Sequence, residues 1–299
     1  MTRILSSLVL VATACVSFGQ DAKSVETAKS IAITYGAWRT AMINKDVAAW
    51  QRLTAPHRQA EIRNRILSEK RPFPAWVFEV PAPPPPLEGL KMIHLSVKGA
   101  TAKGAYFGKI DFGVGGEPTE NIFVTSFVNA GGAWRYDRAD FVNLAGLPEV
   151  RKELAAGNLK YVNETPDFQA SGTVPPTPLA VNPAKYIAQV YVFCPGREVN
   201  VQVNQLSRHR FANAKEAEIV IGGALDGQNS VSYNIKKLEG GTGKEAMTIR
   251  VYLMSEIEGT KPIKAFEYQV QEGGVVESFG KGTFDLDPAT AAKLTPPKR

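Results

Sequence analysis

The chain has 299 residues, 44% hydrophobic and 21% charged. This is ordinary globular usage that excludes whole-chain disorder and a continuous coiled coil, and it leaves room for about two domains. Lys and Arg number 35 against 29 Asp and Glu, a net charge of +6. The surplus is even, 19 basic and 16 acidic residues over 21–180 and 15 and 13 over 181–299, so no concentrated stripe marks a specific nucleic-acid footprint.

Met1-Thr2-Arg3 gives a short positive start, and Ile4 to Phe18 is an apolar stretch of 15 residues. That is short of the ~20 needed to cross a bilayer but suits a signal peptide over 1–20, with Ser17 and Gly19 as small residues before the cut. A rival cut at Ala12-Thr13-Ala14-Cys15 resembles a lipoprotein signal with Cys15 lipidated, although Ala12 stands where leucine is usual. Export to the periplasm or outside the cell is the expectation, with a lipid anchor as the alternative. No transmembrane span is expected after signal removal. With Cys15 removed or modified, Cys194 is the single remaining thiol, read as a small buried hydrophobe.

From 24 to 67 the spacing predicts helices. Val25, Ala28, Ile31, Ala32, Tyr35, Trp38 and Met42 form one apolar stripe behind a Ser24 cap. Asn44-Lys45-Asp46 turns the chain, and Asp46 caps a short helix carrying Val47, Trp50 and Leu53. Thr54 is the expected cap of a third helix, with Pro56 in its first turn and Ala60, Ile62, Ile66 and Leu67 inward. Seven of the 20 prolines then fall between Pro72 and Pro86, a stiff connector. After it the period becomes two, with strands near Met92–Val97, Thr101–Phe112, Ile122–Val128 and Ala133–Val142. Asn129-Ala130-Gly131-Gly132 makes a hairpin turn.

This order, an aromatic-striped helix, an Asn-Lys-Asp turn, two further helices and a sheet ending in Gly131-Gly132-Ala133-Trp134-Arg135, resembles the nuclear-transport-factor-2-like superfamily. That group includes the polyketide-cyclase-like (SnoaL-like) and steroid-isomerase-like cones. The resemblance covers about residues 24–145 and implies a cone-shaped α+β domain that hosts enzymes, binding modules or dimerisation surfaces. Residues 148–182, with a second proline cluster and a short helix starting at Pro148, read as a linker. Residues 183–290 alternate apolar and polar over about seven strands, resembling an immunoglobulin-like or jelly-roll sandwich. The expected fold class is therefore an α+β N-terminal domain over 21–147, three helices on a curved antiparallel sheet, followed by an all-β sandwich and a flexible tail over 291–299.

Chemical motifs are sparse. Gly240-Gly241-Thr242-Gly243-Lys244-Glu245 fails the phosphate-loop pattern, with Leu238 where glycine is required and Glu245 where Ser or Thr belongs; it reads as a hairpin loop. Gly113-Val114-Gly115-Gly116 reads as a turn. His57, His94 and His209 are isolated, so no metal site is expected, no cofactor is implied, and Gly-x-Ser-x-Gly is absent. His209, between Arg208 and Arg210, reads as part of a solvated basic loop. Acid–base candidates are His94, Asp137, His57 and Asp111. Tyr35, Trp38, Tyr106, Trp134 and Tyr136 are candidate pocket linings. Arg52, Arg58, Arg63, Arg65, Lys70 and Arg71 form a basic run, read first as a solvated helix face with internal ion pairs and second as a patch for a partner.

The leading expectation is a non-enzymatic binding protein of the cell envelope. Its partner would be an envelope protein, a glycan or a small apolar ligand, and a homodimer could form through the sheet. The alternatives are a cofactor-free isomerase, dehydratase or cyclase using the cone, and a lipid-anchored scaffold.

Overall fold

The computed structural model describes residues 22–113, 115 and 117–296. The signal segment, Cys15, Val114, Gly116 and the last three residues lie outside that set. Helix α1 (Ala22–Ile43) buries Thr27, Ile31, Thr34, Tyr35, Trp38, Ala41 and Met42 at three- and four-residue spacing. Ser24 lies inside the helix rather than capping it, and Val25 is 52% exposed. The buried stripe is thus rotated from the expected one in its first turns, with Thr27 in place of Val25.

Asp46 caps α2 (Val47–Leu53) by accepting from the Ala49 amide at 3.0 Å, an arrangement typically worth ~1 kcal/mol. Helix α3 (Pro56–Ser68) follows Ala55, with no side-chain cap. Thr54, the expected cap, instead ends α2 and pairs with Tyr136. The buried face of α3 is His57, Asn64, Ile66 and Ser68, more polar than expected because this helix packs against hydrogen-bonding backbone on two sides.

Strands β1 (Lys91–Lys98), β2 (Thr101–Ile110), β3 (Thr119–Ala130) and β4 (Ala133–Asn143) form an antiparallel sheet in the order β1-β2-β3-β4. Gly131 and Gly132 have φ of 64° and 83°, the positive angles that a two-residue hairpin loop requires. Strand β3 is buried at every position from Asn121 to Val128, as expected of a central strand covered on both faces. Tyr35, Trp38, Trp50, Phe123, Phe127 and Tyr136 fill one face. On the other, Ala105, Ile122 and Val124 meet Leu144, Leu154, Val162 and Phe168. Leu154 and Val162 come from α4 (Pro148–Ala155) and α5 (Lys160–Glu164), and Phe168 from a 3-10 turn.

The second half contains β5 (Ala188–Phe193), β6 (Arg197–Val203), β7 (Ser207–Ala212), β8 (Lys215–Ile219), β9 (Gly227–Lys237), β10 (Met247–Leu253), β11 (Ile263–Val270), β12 (Phe279–Leu286) and helix α6 (Pro288–Leu294). They make two antiparallel sheets, β11-β10-β5-β8 and β12-β9-β6-β7. Between them lie Val190, Val192, Val199, Val201, Phe211, Ile249 and Val251, with Leu294 of α6 in the same cluster.

These elements overturn the expected fold class. The described residues hold six helices and three four-stranded antiparallel sheets, a mostly β fold with helices scattered along the chain. It is not three helices on one sheet followed by a separate sandwich. The physical reason is that segments read as linker and tail carry apolar side chains with a face to cover. Residues 148–168 cover the second face of the first sheet, and residues 291–294, read as tail, lie within α6. The second half is also bonded to α3. Asn64 donates to Leu179 O and accepts from Val181 N, Arg63 donates to Val181 O, the Ala184 amide donates to Leu67 O, and the Gly222 amide donates to Ser68 Oγ. Lys70 pairs with Glu256. Among the described residues no helix is long and apolar enough to cross a membrane.

Candidate functional site

Of the five aromatic residues expected to line a pocket, Tyr35, Trp38 and Tyr136 are packed on one another, and Tyr106 is buried beside them. Trp38 stacks on Tyr136 at 3.8 Å between ring centroids, and Tyr35 lies 5.6–5.8 Å from Phe123, Tyr136 and Trp38. Tyr35, Tyr106 and Tyr136 are 1%, 4% and 8% exposed. Burial pushes the Tyr106 phenol up to about 12 and raises those of Tyr35 and Tyr136 further, with Arg58 partly opposing it at Tyr136. All three rings are therefore neutral at physiological pH.

The proline run closes this aromatic layer from outside. Tyr35 Oη donates to Pro85 O and Arg39 Nε to Pro84 O, both at 2.7 Å. Val77 and Phe78 add apolar cover from a 3-10 turn at the start of the same segment. Proline lacks an amide donor, so the run keeps its carbonyls free to accept these bonds.

The structure brings together two acid–base candidates that sequence spacing left 80 residues apart. His57 Nε2 and Asp137 Oδ1 are 2.9 Å apart, with side chains 3% and 14% exposed. His57 is placed by Pro56 at the first turn of α3. Asp137 is the extra residue of a β-bulge, since Ser126 faces Arg138 while Phe127 faces Tyr136; such a bulge re-aims a side chain. The Ala55 amide donates to Tyr136 O at 2.7 Å and fixes the turn against β4. Among the described residues, the buried atoms His57 Nδ1, Thr54 Oγ1 and Trp38 Nε1 have no hydrogen-bond partner.

The other candidates lie elsewhere. His94 Nε2 meets Gln169 Oε1 at 3.4 Å, towards the α4–α5 layer, and Asp111 follows β2, accepting from the Gly113 amide. The basic run is largely taken up. Arg58 pairs with Glu61, Arg65 with Glu69 and Lys70 with Glu256, Arg63 bonds Val181 O, and Arg71 lies 4.6 Å over Trp76. Arg52 is exposed at the end of α2. Among the described residues no group of three His, Cys, Asp or Glu side chains is placed to hold a metal ion.

Trp134 has a different setting from the other four aromatics. It is half-buried at the start of β4 and lines an open groove of about 660 Å³ between the first turns of α1 and the β3–β4 hairpin. Ser24, Glu26, Thr27, Ser30 and Asn129 share that groove. One flat ring beside short hydroxyls, an amide and a carboxylate can stack a ring-shaped polar ligand and hydrogen-bond its edge. The hairpin motif signalled Trp134; of the α1 hydroxyls, Ser24 was read only as a helix cap, and Thr27 and Ser30 gave no sequence signal.

His209 was expected in a solvated basic loop. It is instead 5% exposed on β7, its Nε2 2.7 Å from Ser207 Oγ and its Nδ1 2.7 Å from Glu218 Oε2. The hydroxyl also accepts from the Ile221 amide at 2.7 Å and is itself fully buried, so the trio ties β7 to β8 across the two sheets and leaves no reachable nucleophile. The loop Gly240–Glu245 holds the chain's own carboxylate. The Thr242 and Gly243 amides donate to Glu245, which lies 3.4 Å from the buried Arg197 guanidinium.

No family model, curated protein or solved structure matches this chain. Nothing in these comparisons identifies the chain as a member of the nuclear-transport-factor-2-like superfamily.

Proposed function

We propose that this protein is an exported, non-enzymatic binding protein of the cell envelope, and that its ligand occupies the groove between α1 and the β3–β4 hairpin. The observation that carries the reading is the contrast between two aromatic settings. The rings that would line a reaction pocket are packed on each other under the proline run, whereas Trp134 borders open space. The polar lining favours a glycan over a small apolar ligand. The test is a fluorescence and calorimetric titration with soluble neutral, N-acetylated and acidic oligosaccharides. Saturable binding that weakens at least tenfold in Trp134→Ala and in Asn129→Ala is the expected result. Absence of saturable binding, or binding indifferent to Trp134, overturns the groove as the site.

A second reading rests on the unpartnered His57 Nδ1. As a cofactor-free proton-transfer enzyme, the protein would use the His57–Asp137 pair, Asp137 orienting the ring and Nδ1 moving the proton. That reading needs solvent-side access to the imidazole. Deuterium exchange at the His57 ring carbon between the nitrogens, at the rate of an open imidazole, supports it; protection of that position removes it. The lipid-anchored alternative is read from the mass and membrane fractionation of the exported chain, through Cys15.

A further inference from the structure

The outer face of the sheet β12-β9-β6-β7 carries two rows of side chains set by the strand register. One row runs Phe279, Asn234, Asn200, Arg210 and the next runs Lys281, Ser232, Gln202, Arg208. Four strands at ~4.8 Å spacing make each row about 14 Å long, room for several successive sugar rings. The rows border an open depression of about 240 Å³ lined by Asn200, Gln202, Arg208, Ser232, Asn234 and Phe279. Among the described residues no hydrogen bond or ion pair takes up the side chains of Arg208, Ser232 or Asn234. Phe279 is 52% exposed, with Lys281 Nζ 5.5 Å from its ring centroid.

From this face we infer a second binding site, for an acidic polysaccharide, separate from the groove at Trp134 and independent of it. Arg208 and Lys281 end the second row with positive charge, and neither row contains a carboxylate. The nearby Glu198 is held by Arg210 at 2.6 Å. Amides and a hydroxyl between the cations offer paired donors and acceptors to sugar hydroxyls, and Phe279 offers one flat face for a ring. A protein partner would meet no apolar centre here beyond that single ring. A nucleic acid would meet three cations that no carboxylate takes up among the described residues, Arg208, Lys281 and the neighbouring Lys236, below the ~6–10 phosphate contacts of typical duplex binders. The opposite sheet shows the contrast: its outward Arg250 is spent on Glu267, Gln269 and Tyr252.

The experiment is affinity electrophoresis and calorimetry of the exported chain with alginate as the acidic probe and dextran as the neutral one. Retardation by alginate and not by dextran is expected. The double variant Arg208→Glu, Lys281→Glu should lose at least tenfold in affinity, and Asn234→Ala several-fold. A control with the same charge change on exposed lysines of the first sheet, Lys91→Glu, Lys109→Glu, should keep binding, and all variants should keep the melting temperature because the altered residues are exposed. Equal loss in both double variants would assign retardation to overall charge and overturn the site. Retardation by dextran to the same degree, or none by alginate, also overturns it. Trp134→Ala should leave alginate binding by this face intact, which separates its failure from that of the groove.

Discussion

The layer between α1 and the first sheet is filled by rings, with Tyr35, Trp38, Phe123, Phe127 and Tyr136 in contact. The layer between the two later sheets is filled mostly by short branched side chains, Val190, Val192, Val199, Val201, Ile249 and Val251, every one at most 2% exposed, with Phe211, Tyr233 and Phe284 as scattered rings among them. The difference follows from geometry. Helices crossing a sheet leave uneven gaps that wide rings span, whereas facing pleated strands interlock through β-branched side chains at even spacing. It also explains which region offers concave surface. The rings packed under the proline run border an open groove at their rim, at Trp134, while the second region's exposed chemistry lies on the outer face of a sheet.

The comparison treats the regions as distinct in packing but joined in folding, and the join can be broken. Trp50, 1% exposed, anchors the ring layer; Trp50→Ala should cost about 3–5 kcal/mol. Ile249→Ala, in the other layer, should cost about 2–5 kcal/mol. Asn64 and Ser68 are 2% and 0% exposed and bond across the junction. Calorimetry should therefore show one transition that both substitutions lower together. Two transitions, each moved by only one substitution, would make the regions independent units.

Each region also buries one histidine against a carboxylate, and the partner left behind decides the cost of losing it. Asp137 is 14% exposed, so His57→Leu leaves a largely covered carboxylate without its partner, a loss of about 2–4 kcal/mol. Glu218 is 45% exposed and returns to water, and Ser207 keeps its bond to the Ile221 amide. His209→Leu should cost only about 1–2 kcal/mol. Urea denaturation measures both, and Asp137→Leu added to His57→Leu should recover part of the first loss. A larger effect at His209 would reverse the ranking.

Much of the first region was legible in sequence because its signals are local. The 3.6-residue stripe gave α1 from Ile31 onward, Asp46 marked the start of α2, and Gly131-Gly132 marked the hairpin. What escaped were relations set by distant partners. Nothing in the spacing of His57 and Asp137 indicates that a bulge turns one towards the other. Residues 148–182 read as a linker with one short helix because a proline cluster from Pro166 to Pro183 sits in polar sequence, yet Leu154, Val162 and Phe168 find a sheet face on the folded β3. Strand β7 was hidden by its Arg-His-Arg core, whose alternation puts His209 inside and both arginines out. The rows on the outer sheet face depend wholly on register, which three strand pairings set together.

The smallest expected effect concerns Glu245, on the loop of the second region whose sequence fails the phosphate-loop pattern. Amide donors, its own and that of Thr242 foremost, hold its carboxyl down to about 2 from the ordinary 4.5, with Arg197 adding to the effect. A carboxylate with a lowered folded value binds protons more readily in the unfolded chain. Its stabilising contribution is therefore complete above about pH 4.5 and disappears as the pH falls towards 2. The loop is solvent-facing, so the contribution is modest and screened by salt. Glu245→Gln removes the titrating group while keeping its shape. The melting-temperature gap between the native chain and this variant should be widest near neutral pH, narrow below pH 4.5 and close towards pH 2. A gap that stays constant across that range would show that the amides hold the side chain by shape and hydrogen bonding alone, with no part played by its charge.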